Sequence, residues 1–414
     1  MRIGFFTDTY TPQINGVVTS IRLFAKALER QGHSVYIFAP TPRQATDGPH
    51  IVRIPSVPFA FQPEMRLASI YSAHADRLVR RANLDVIHSH DPFAIGLYGL
   101  AVAKRYRIPY VHTYHTLYPE YVHYIWETRF TRAMAERLSR EFCDQCDMVL
   151  APSTKINKAL HDWGVTAPVV TLPTGVDAQL FAERDPEELD EFRRRFGISQ
   201  ADKLLTFVGR LGKEKNVDLL IDAMAKVTTP NARLVIVGNG PYRPELEARI
   251  ARLGIRDRVI FTDYLNRTDV RSAYLNSEAL FFASTSETQG LVIAEAMASG
   301  LPVVAVNDLA IADAVSDGVN GFLVPESAGD LAAAADRLMS DPKLRAEMSR
   351  VSLERAEDLC IDNQAARLAE VYTRVLEVKG PRRRSLRPPA AVARVEKQLT
   401  TLRRRGRNIV RRYL

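Results

Sequence analysis

Cysteine is scarce: Cys143, Cys146 and Cys360 are the three in a chain of 414 residues. That number supports no disulfide framework and supplies too few ligands for a structural zinc site. Cys143-Asp-Gln-Cys146 has redox-pair spacing but falls late in an expected helix rather than at a helix start, which reads as reduced, partly buried thiols. No apolar run approaches the roughly 20 residues that a bilayer span needs. The chain opens Met1-Arg-Ile-Gly-Phe-Phe, a core strand rather than a leader, so a cytoplasmic protein without signal peptide or membrane anchor is expected. The loop after that strand is not Gly-x-Gly-x-x-Gly, and a dehydrogenase loses its main support. Basic excess is also missing from most of the chain. Residues 381–414 hold twelve Lys or Arg and one Glu, while the remainder carries 44 basic and 47 acidic side chains.

What is present is alternation. Strand-like runs at Ile3–Thr7, Val35–Ala39, Val86–His88, Tyr110–His112, Met148–Ala151 and Val169–Thr171 alternate with helical patterns near Val17–Gln31, Met65–Arg81, Ile95–Arg105 and Arg129–Cys146. The second half repeats the pattern, with strands at Leu204–Val208, Leu234–Val237, Val259–Phe261, Leu280–Phe282 and Val303–Ala305. This is the signal of an α/β protein with two Rossmann-like, doubly wound domains. Leu172-Pro-Thr-Gly-Val-Asp177 interrupts the pattern as a hinge, placing the domains at 1–176 and 177–362.

The most informative segment is Glu287-Thr-Gln-Gly290-Leu291-Val-Ile-Ala-Glu295-Ala-Met-Ala-Ser-Gly-Leu-Pro302. It follows an apolar strand and opens a helix near Gly290, where free amides and the macrodipole favour phosphate. Two carboxylates bracket that start: Glu287 is placed for a sugar, the amides at Gly290 and Leu291 for a diphosphate, and Glu295 for a ribose diol. Two solvated helix glutamates would give the same Glu-x7-Glu spacing; the glycine and the Ala-Met-Ala-Ser-Gly-Leu-Pro continuation make the pattern specific. This segment resembles the donor-binding signature of retaining GT-B glycosyltransferases of family 4, in which two Rossmann-like domains face each other across a cleft. The resemblance covers about residues 1–378, and implies that residues 363–380 form a helix crossing back to the first domain ahead of a basic tail, 381–414.

Three pieces of the first domain bear on that resemblance. Asn15-Gly16 lets the backbone turn tightly at a helix start; alone it is a common turn, and by resemblance it is the loop over the donor diphosphate. His112-Thr-Tyr-His115-Thr-Leu-Tyr118-Pro-Glu-Tyr121-Val-His123-Tyr124 suits a cleft wall, a metal site or a buried hydrogen-bonded histidine; the spacing matches no metal helix motif. The resemblance assigns His115 to the donor sugar, and the whole string is similar to bacterial enzymes that place an α-glucosyl residue on diacylglycerol. Asp91, in His88-Ser-His90-Asp91-Pro92, fits an acceptor hydroxyl or an Asx turn equally. Pro55-Ser-Val-Pro58-Phe59-Ala-Phe61-Gln-Pro63 cannot be a central strand and leaves Phe59 and Phe61 on a loop. The expected helix that follows, with Arg66, fits an acceptor or anionic membrane surface, or an ordinary core-facing helix.

In the second domain Gly209-Arg210-Leu-Gly-Lys-Glu-Lys215 ends a strand. Breaking a donor bond leaves a diphosphate that needs preplaced counter-charge. No Asp-x-Asp pair occurs to hold a divalent ion. Arg210 and Lys215 match the family's basic pair, and no metal or other cofactor is expected. Tyr264 and Leu265 lie where the family holds the base through backbone groups.

The resemblance implies attack on the face from which the diphosphate leaves, a phosphate oxygen taking the acceptor proton, with Glu287 binding sugar hydroxyls rather than acting as nucleophile. The expected reaction moves glucose from UDP-glucose to the 3-hydroxyl of diacylglycerol at the inner face of the cell membrane. Alternatives are a GDP-mannose-dependent inositol-lipid mannosyltransferase, a nucleotide-sugar epimerase needing no acceptor, and a nucleic-acid binder that has lost catalysis. Arg382-Arg383-Arg384 and Arg403-Arg404-Arg405 read as contacts to anionic lipid, as nucleic-acid contacts or as a solvated tail.

Overall fold

Phe5 and Phe6 are neighbours on the first strand, yet they belong to different apolar clusters on opposite faces of a sheet. A parallel strand covered on both sides reads as a continuous apolar run, which is how Ile-Gly-Phe-Phe reads. In chain order the strands are β1 Arg2–Phe6, β2 Ser34–Pro40, β3 Ile51–Ile54, β4 Ser56–Phe59, β5 Gln62–Ala68, β6 Val86–Ser89, β7 Tyr110–Thr113, β8 Met148–Ala151 and β9 Val169–Thr171. The second half holds β10 Lys203–Val208, β11 Ala232–Val237, β12 Val259–Asp263, β13 Ala279–Phe282, β14 Val303–Val306 and β15 Gly321–Val324. The computed structural model describes residues 1–13, 15–42, 48–59, 62–69, 72–121 and 129–379. Phe61, His123, Tyr124 and the basic tail lie outside the described residues.

Two parallel sheets form. The first runs β3-β2-β1-β6-β7-β8-β9 and the second β12-β11-β10-β13-β14-β15. In each, strand order reverses once, between β1 and β6 and between β10 and β13, and ligands of such sheets bind beyond the strand carboxyl ends at that crevice. The loops after β1, β6, β7, β10 and β13 carry Gly16, Asp91, His115, Arg210 with Lys215, and Glu287.

The last described helix, Ile361–Lys379, returns to the first domain. Its Leu368, Val371, Tyr372 and Val375 join the cluster containing Ile3, Phe5 and Val111. At roughly 1.5–3 kcal/mol per buried side chain, this packing outweighs the exposed 2.5 Å Arg30–Asp362 ion pair, a contact type worth about 0–1 kcal/mol. The chain crosses between domains twice at one place: Val176 bridges to Cys360. A Cβ on Gly175 would fall 2.4 Å from the Ile361 Cα, so only glycine allows the two crossings to touch.

One expectation fails locally. Residues 65–68 are not helical: they belong to β5, which pairs antiparallel with β4, and a helix starts only at Ala73 behind its Ser72 cap. Met65 and Leu67 alternate with Arg66 and Ala68, a period of two. Pro58 is tolerated because a two-stranded ribbon leaves each strand an unpaired edge. The Arg66 guanidinium donates to the Ser56 hydroxyl and carbonyl, each at 2.8 Å, holding the ribbon together. Phe59 therefore lies on a strand rather than a loop.

Candidate active site

The side expected to take the donor is built by the loop from β13. Gly290, at φ +76°, turns that loop into the helix Leu291–Ala298, a backbone conformation that disfavours any residue with a Cβ. No side chain caps this helix, whereas Asn15 caps the helix Gly16–Arg30 by accepting from the Val18 amide at 2.9 Å. The uncapped first turn presents amides and the positive end of the dipole, the requirement for a diphosphate.

Ahead of that turn, Glu287 accepts from Lys215 Nζ at 2.6 Å, with side chains 16 % and 19 % exposed. The carboxylate expected to take the sugar and the cation expected to balance the leaving group are thus one half-buried pair. Arg210 is more exposed and donates to Glu214 at 2.7 Å. Loops after β10 and β11 are knitted by the Gly209 and Leu211 amides, which donate to Val237 and Asn239 carbonyls. Tyr264 follows Asp263, itself in left-handed geometry at φ +61°. Its exposed ring donates from the hydroxyl to the Asn239 carbonyl at 3.0 Å, while Leu265 packs on the domain core.

Glu295 points into its own domain. Arg267 approaches it at 3.6 Å, and its side chain is 15 % exposed. Burial pushes this carboxyl up to about 7, against the pull of Arg267 and of the Tyr274 hydroxyl. The folded chain therefore keeps a proton that an unfolded one releases above about 4.5. Stability is lost as pH rises through that interval, and the loss persists above it. Glu295→Gln removes this cost. It is expected to raise stability at pH 8 by up to about 3 kcal/mol and to change it little at pH 4, as read by calorimetry.

Across the cleft, the first domain meets the helix Leu291–Ala298 directly. A Cβ at Gly16 would lie 3.8 Å from Leu291 Cδ1. Gln289, between Glu287 and Gly290, accepts from the Thr174 amide at 2.8 Å and donates to its carbonyl at 2.7 Å. The Thr174 hydroxyl lies 2.7 Å from Ser20 Oγ on the Gly16–Arg30 helix. Lys155 donates to the Thr285 carbonyl and to Asp308 at 2.8 Å, a second tie between domains.

The histidines form a cluster at the ends of β6 and β7. His90 Nδ1 lies 3.1 Å from Nε2 of half-buried His115. His88 lies 2.6 Å from the Tyr372 hydroxyl and 2.7 Å from the Thr113 hydroxyl. Burial pushes His88 and His90 well below the usual imidazole range, His112 down to about 3 and His115 to about 4. All four are neutral near pH 7. Asp91 is turned inward: it accepts from the Thr7 hydroxyl at 2.8 Å and the Asp8 amide at 2.9 Å, and burial raises its pKa. Its bonds run to the exit of β1, 84 and 83 residues away, rather than to a neighbouring amide as in an Asx turn. Among the described residues no group of three His, Cys, Asp or Glu side chains could hold a metal. Cys143 and Cys146 are buried, and burial lifts Cys143 to about 12, which keeps it a thiol.

Sequence reasoning missed Asp8, His90, Gln289 and Arg267. Asp8 accepts from the Ile95 amide at 3.0 Å, holding the start of the helix after β6, and burial beside Asp91 lifts it to about 7. Its place immediately after β1 was the available signal; the partners lay too far along the chain to see.

Two family descriptions match: Glycosyltransferase Family 4 over residues 14–180 and Glycosyl transferases group 1 over 189–355. The alpha-monoglucosyldiacylglycerol synthase of Streptococcus pneumoniae is 36% identical over 380 residues, covering 90% of this chain and 85% of that one. The chain belongs to glycosyltransferase family 4. A GDP-mannose-dependent alpha-mannosyltransferase of Mycobacterium tuberculosis is 30% identical over 332 residues, covering 78% and 84% of the two chains. The crystal structure of Anabaena Alr3699/HepE in complex with UDP and glucose superposes with a TM-score of 0.74 at 21% identity, covering 90% of this chain and 100% of that chain. The fold is GT-B, and this family 4 enzyme is a hexosyltransferase. Its cleft is the one that Gly16 and Leu291 face from opposite sides.

Proposed function

We propose that this enzyme transfers glucose from UDP-glucose to the 3-hydroxyl of diacylglycerol with retention, acting peripherally at the inner face of the cell membrane. The observation carrying this reading is the 36% identity, over nine-tenths of the chain, to a synthase of that glycolipid. The uncapped Leu291–Ala298 helix takes the diphosphate, Lys215 and Arg210 balance its charge as the bond breaks, and Glu287 holds the sugar hydroxyls. Glu295 takes the ribose, and the backbone at Tyr264 and Leu265 the base. A diphosphate oxygen takes the acceptor proton in place of an enzymic base, and Arg210 with Lys215 supplies the charge that a metal would otherwise bring. A GDP-mannose donor with an inositol-lipid acceptor is the second reading, favoured by the mannosyltransferase relative.

Offering UDP-glucose, UDP-galactose and GDP-mannose separately, with diacylglycerol vesicles, with inositol-lipid vesicles and with neither, tests the donor and acceptor together. Diacylglycerol-stimulated release of UDP from UDP-glucose alone is expected. Stimulation only with GDP-mannose and an inositol lipid would replace the first reading by the second.

No described helix is long and apolar enough to cross a membrane, and we assign membrane attachment to the basic tail. Deleting residues 382–414 removes twelve cations, each worth about 1 kcal/mol near an anionic surface. Sedimentation with anionic liposomes should fall sharply in the truncated enzyme while hydrolysis of the soluble donor persists. Unchanged sedimentation would remove the tail from the reading.

A further inference from the structure

His90 is almost fully buried, yet its Nε2 has no hydrogen-bond partner among the described residues. Its ring is stacked on His88 at 4.3 Å and stands edge-on to Phe5 at 4.8 Å. Its Nδ1 faces His115 Nε2 at 3.1 Å, and one hydrogen must lie between the two nitrogens. If His115 supplied it, neutral His90 would carry its own hydrogen on the orphaned Nε2, a buried donor with nothing to receive it. If His90 supplies it, the orphan is only a lone pair. Unpaired buried N–H groups are rarer in folded proteins than under-used acceptors. His112 shows the same solution one strand away. Its Nδ1 lies 2.8 Å from the Ser89 hydroxyl, which can accept, and 3.1 Å from the Ser89 carbonyl, which can only accept, so a hydrogen on Nδ1 suits both; its buried, unpartnered Nε2 is then the lone pair.

We propose that His90 is a positioning residue that sets the tautomer of His115: it donates from Nδ1 to His115 Nε2, leaving Nδ1–H as the one polar hydrogen His115 can offer. Which ring nitrogen of a histidine carries the proton is decided by the partner of the other. Both imidazoles are held neutral by burial, and His90 also by the neighbouring rings, so neither bears a second proton. His115 is thereby a fixed hydrogen-bond donor rather than a base. The catalytic consequence rests on the reading that His115 faces the donor sugar; the tautomer itself does not.

The test is nitrogen NMR of the full chain labelled with 15N-histidine, with assignment from single His90 and His115 variants. His115 should show an unprotonated Nε2 and a protonated Nδ1; a protonated Nε2 overturns the proposal. His90→Asn keeps a donor close to the Nδ1 position and should preserve that tautomer. His90→Leu removes the donor and should release it, with kcat about tenfold lower at similar melting temperature. An unchanged His115 tautomer in folded His90→Leu also overturns the proposal. A changed tautomer with unchanged kcat upholds it and removes His115 from the donor sugar instead.

Discussion

Lys215→Ala should lower kcat by about 100- to 1,000-fold, the usual cost of deleting one preplaced group that stabilises developing negative charge. The ammonium lies 2.6 Å from Glu287 and is 19 % exposed, so water cannot replace it freely. Lysine removal also leaves a half-buried carboxylate without its charge partner, and part of the lost activity will come from that defect. The two contributions separate in a double variant. Lys215→Ala with Glu287→Gln removes both charges and should recover stability relative to Lys215→Ala, because the orphaned charge is gone. Activity should stay low. Recovery of both together would mean that neither charge is needed for the chemistry. Steady-state kinetics and thermal melts on the four proteins form one cycle.

Glu287→Ala should be the more damaging change, lowering kcat about 1,000-fold or more with donor binding weakened much less. A carboxylate that binds sugar hydroxyls as charge develops acts most strongly in the transition state. The same variant distinguishes sugar binding from nucleophilic attack. In a double displacement an added small anion such as azide would occupy the vacated space and be glycosylated. In same-face displacement assisted by the leaving phosphate, azide should restore nothing. A glycosyl azide product would make Glu287 the nucleophile.

The second prediction concerns a residue legible in the sequence for a local reason. Glu287, Gly290 and Glu295 are spaced along one strand–turn–helix, so their joint placement follows from backbone geometry over nine residues. The doubly wound fold was legible likewise, since buried parallel strands read as apolar runs between helical patterns. The β4–β5 ribbon was not: its prolines argued against a central strand, correctly, and a short alternating stretch ahead of a real helix passed for the helix's first turn.

Unseen groups are joined by distant contacts. Gln289 reaches Thr174 from 115 residues away, and Asp8 reaches the Ile95 amide across 87. Local pattern marks neither contact, although Asp8 stands just after β1. Gln289 nevertheless lies inside the donor signature, and its paired bonds connect that loop to the interdomain hinge. Asp91 shows the opposite limit. It stands at a strand end facing the crevice, where a ligand-binding carboxylate would be sought, and its oxygens instead fasten the exit of β1.

The most direct measurement is the structure of the lipid product. Purified full-length enzyme, anionic vesicles containing diacylglycerol, and UDP-glucose would be incubated, and the extract resolved by mass spectrometry and by NMR of the anomeric proton, with Glu287→Ala in parallel. An α-glucosyl diacylglycerol, absent with the variant, is the predicted result. A β-linked product, or no glycolipid despite Glu287-dependent donor turnover, would contradict it.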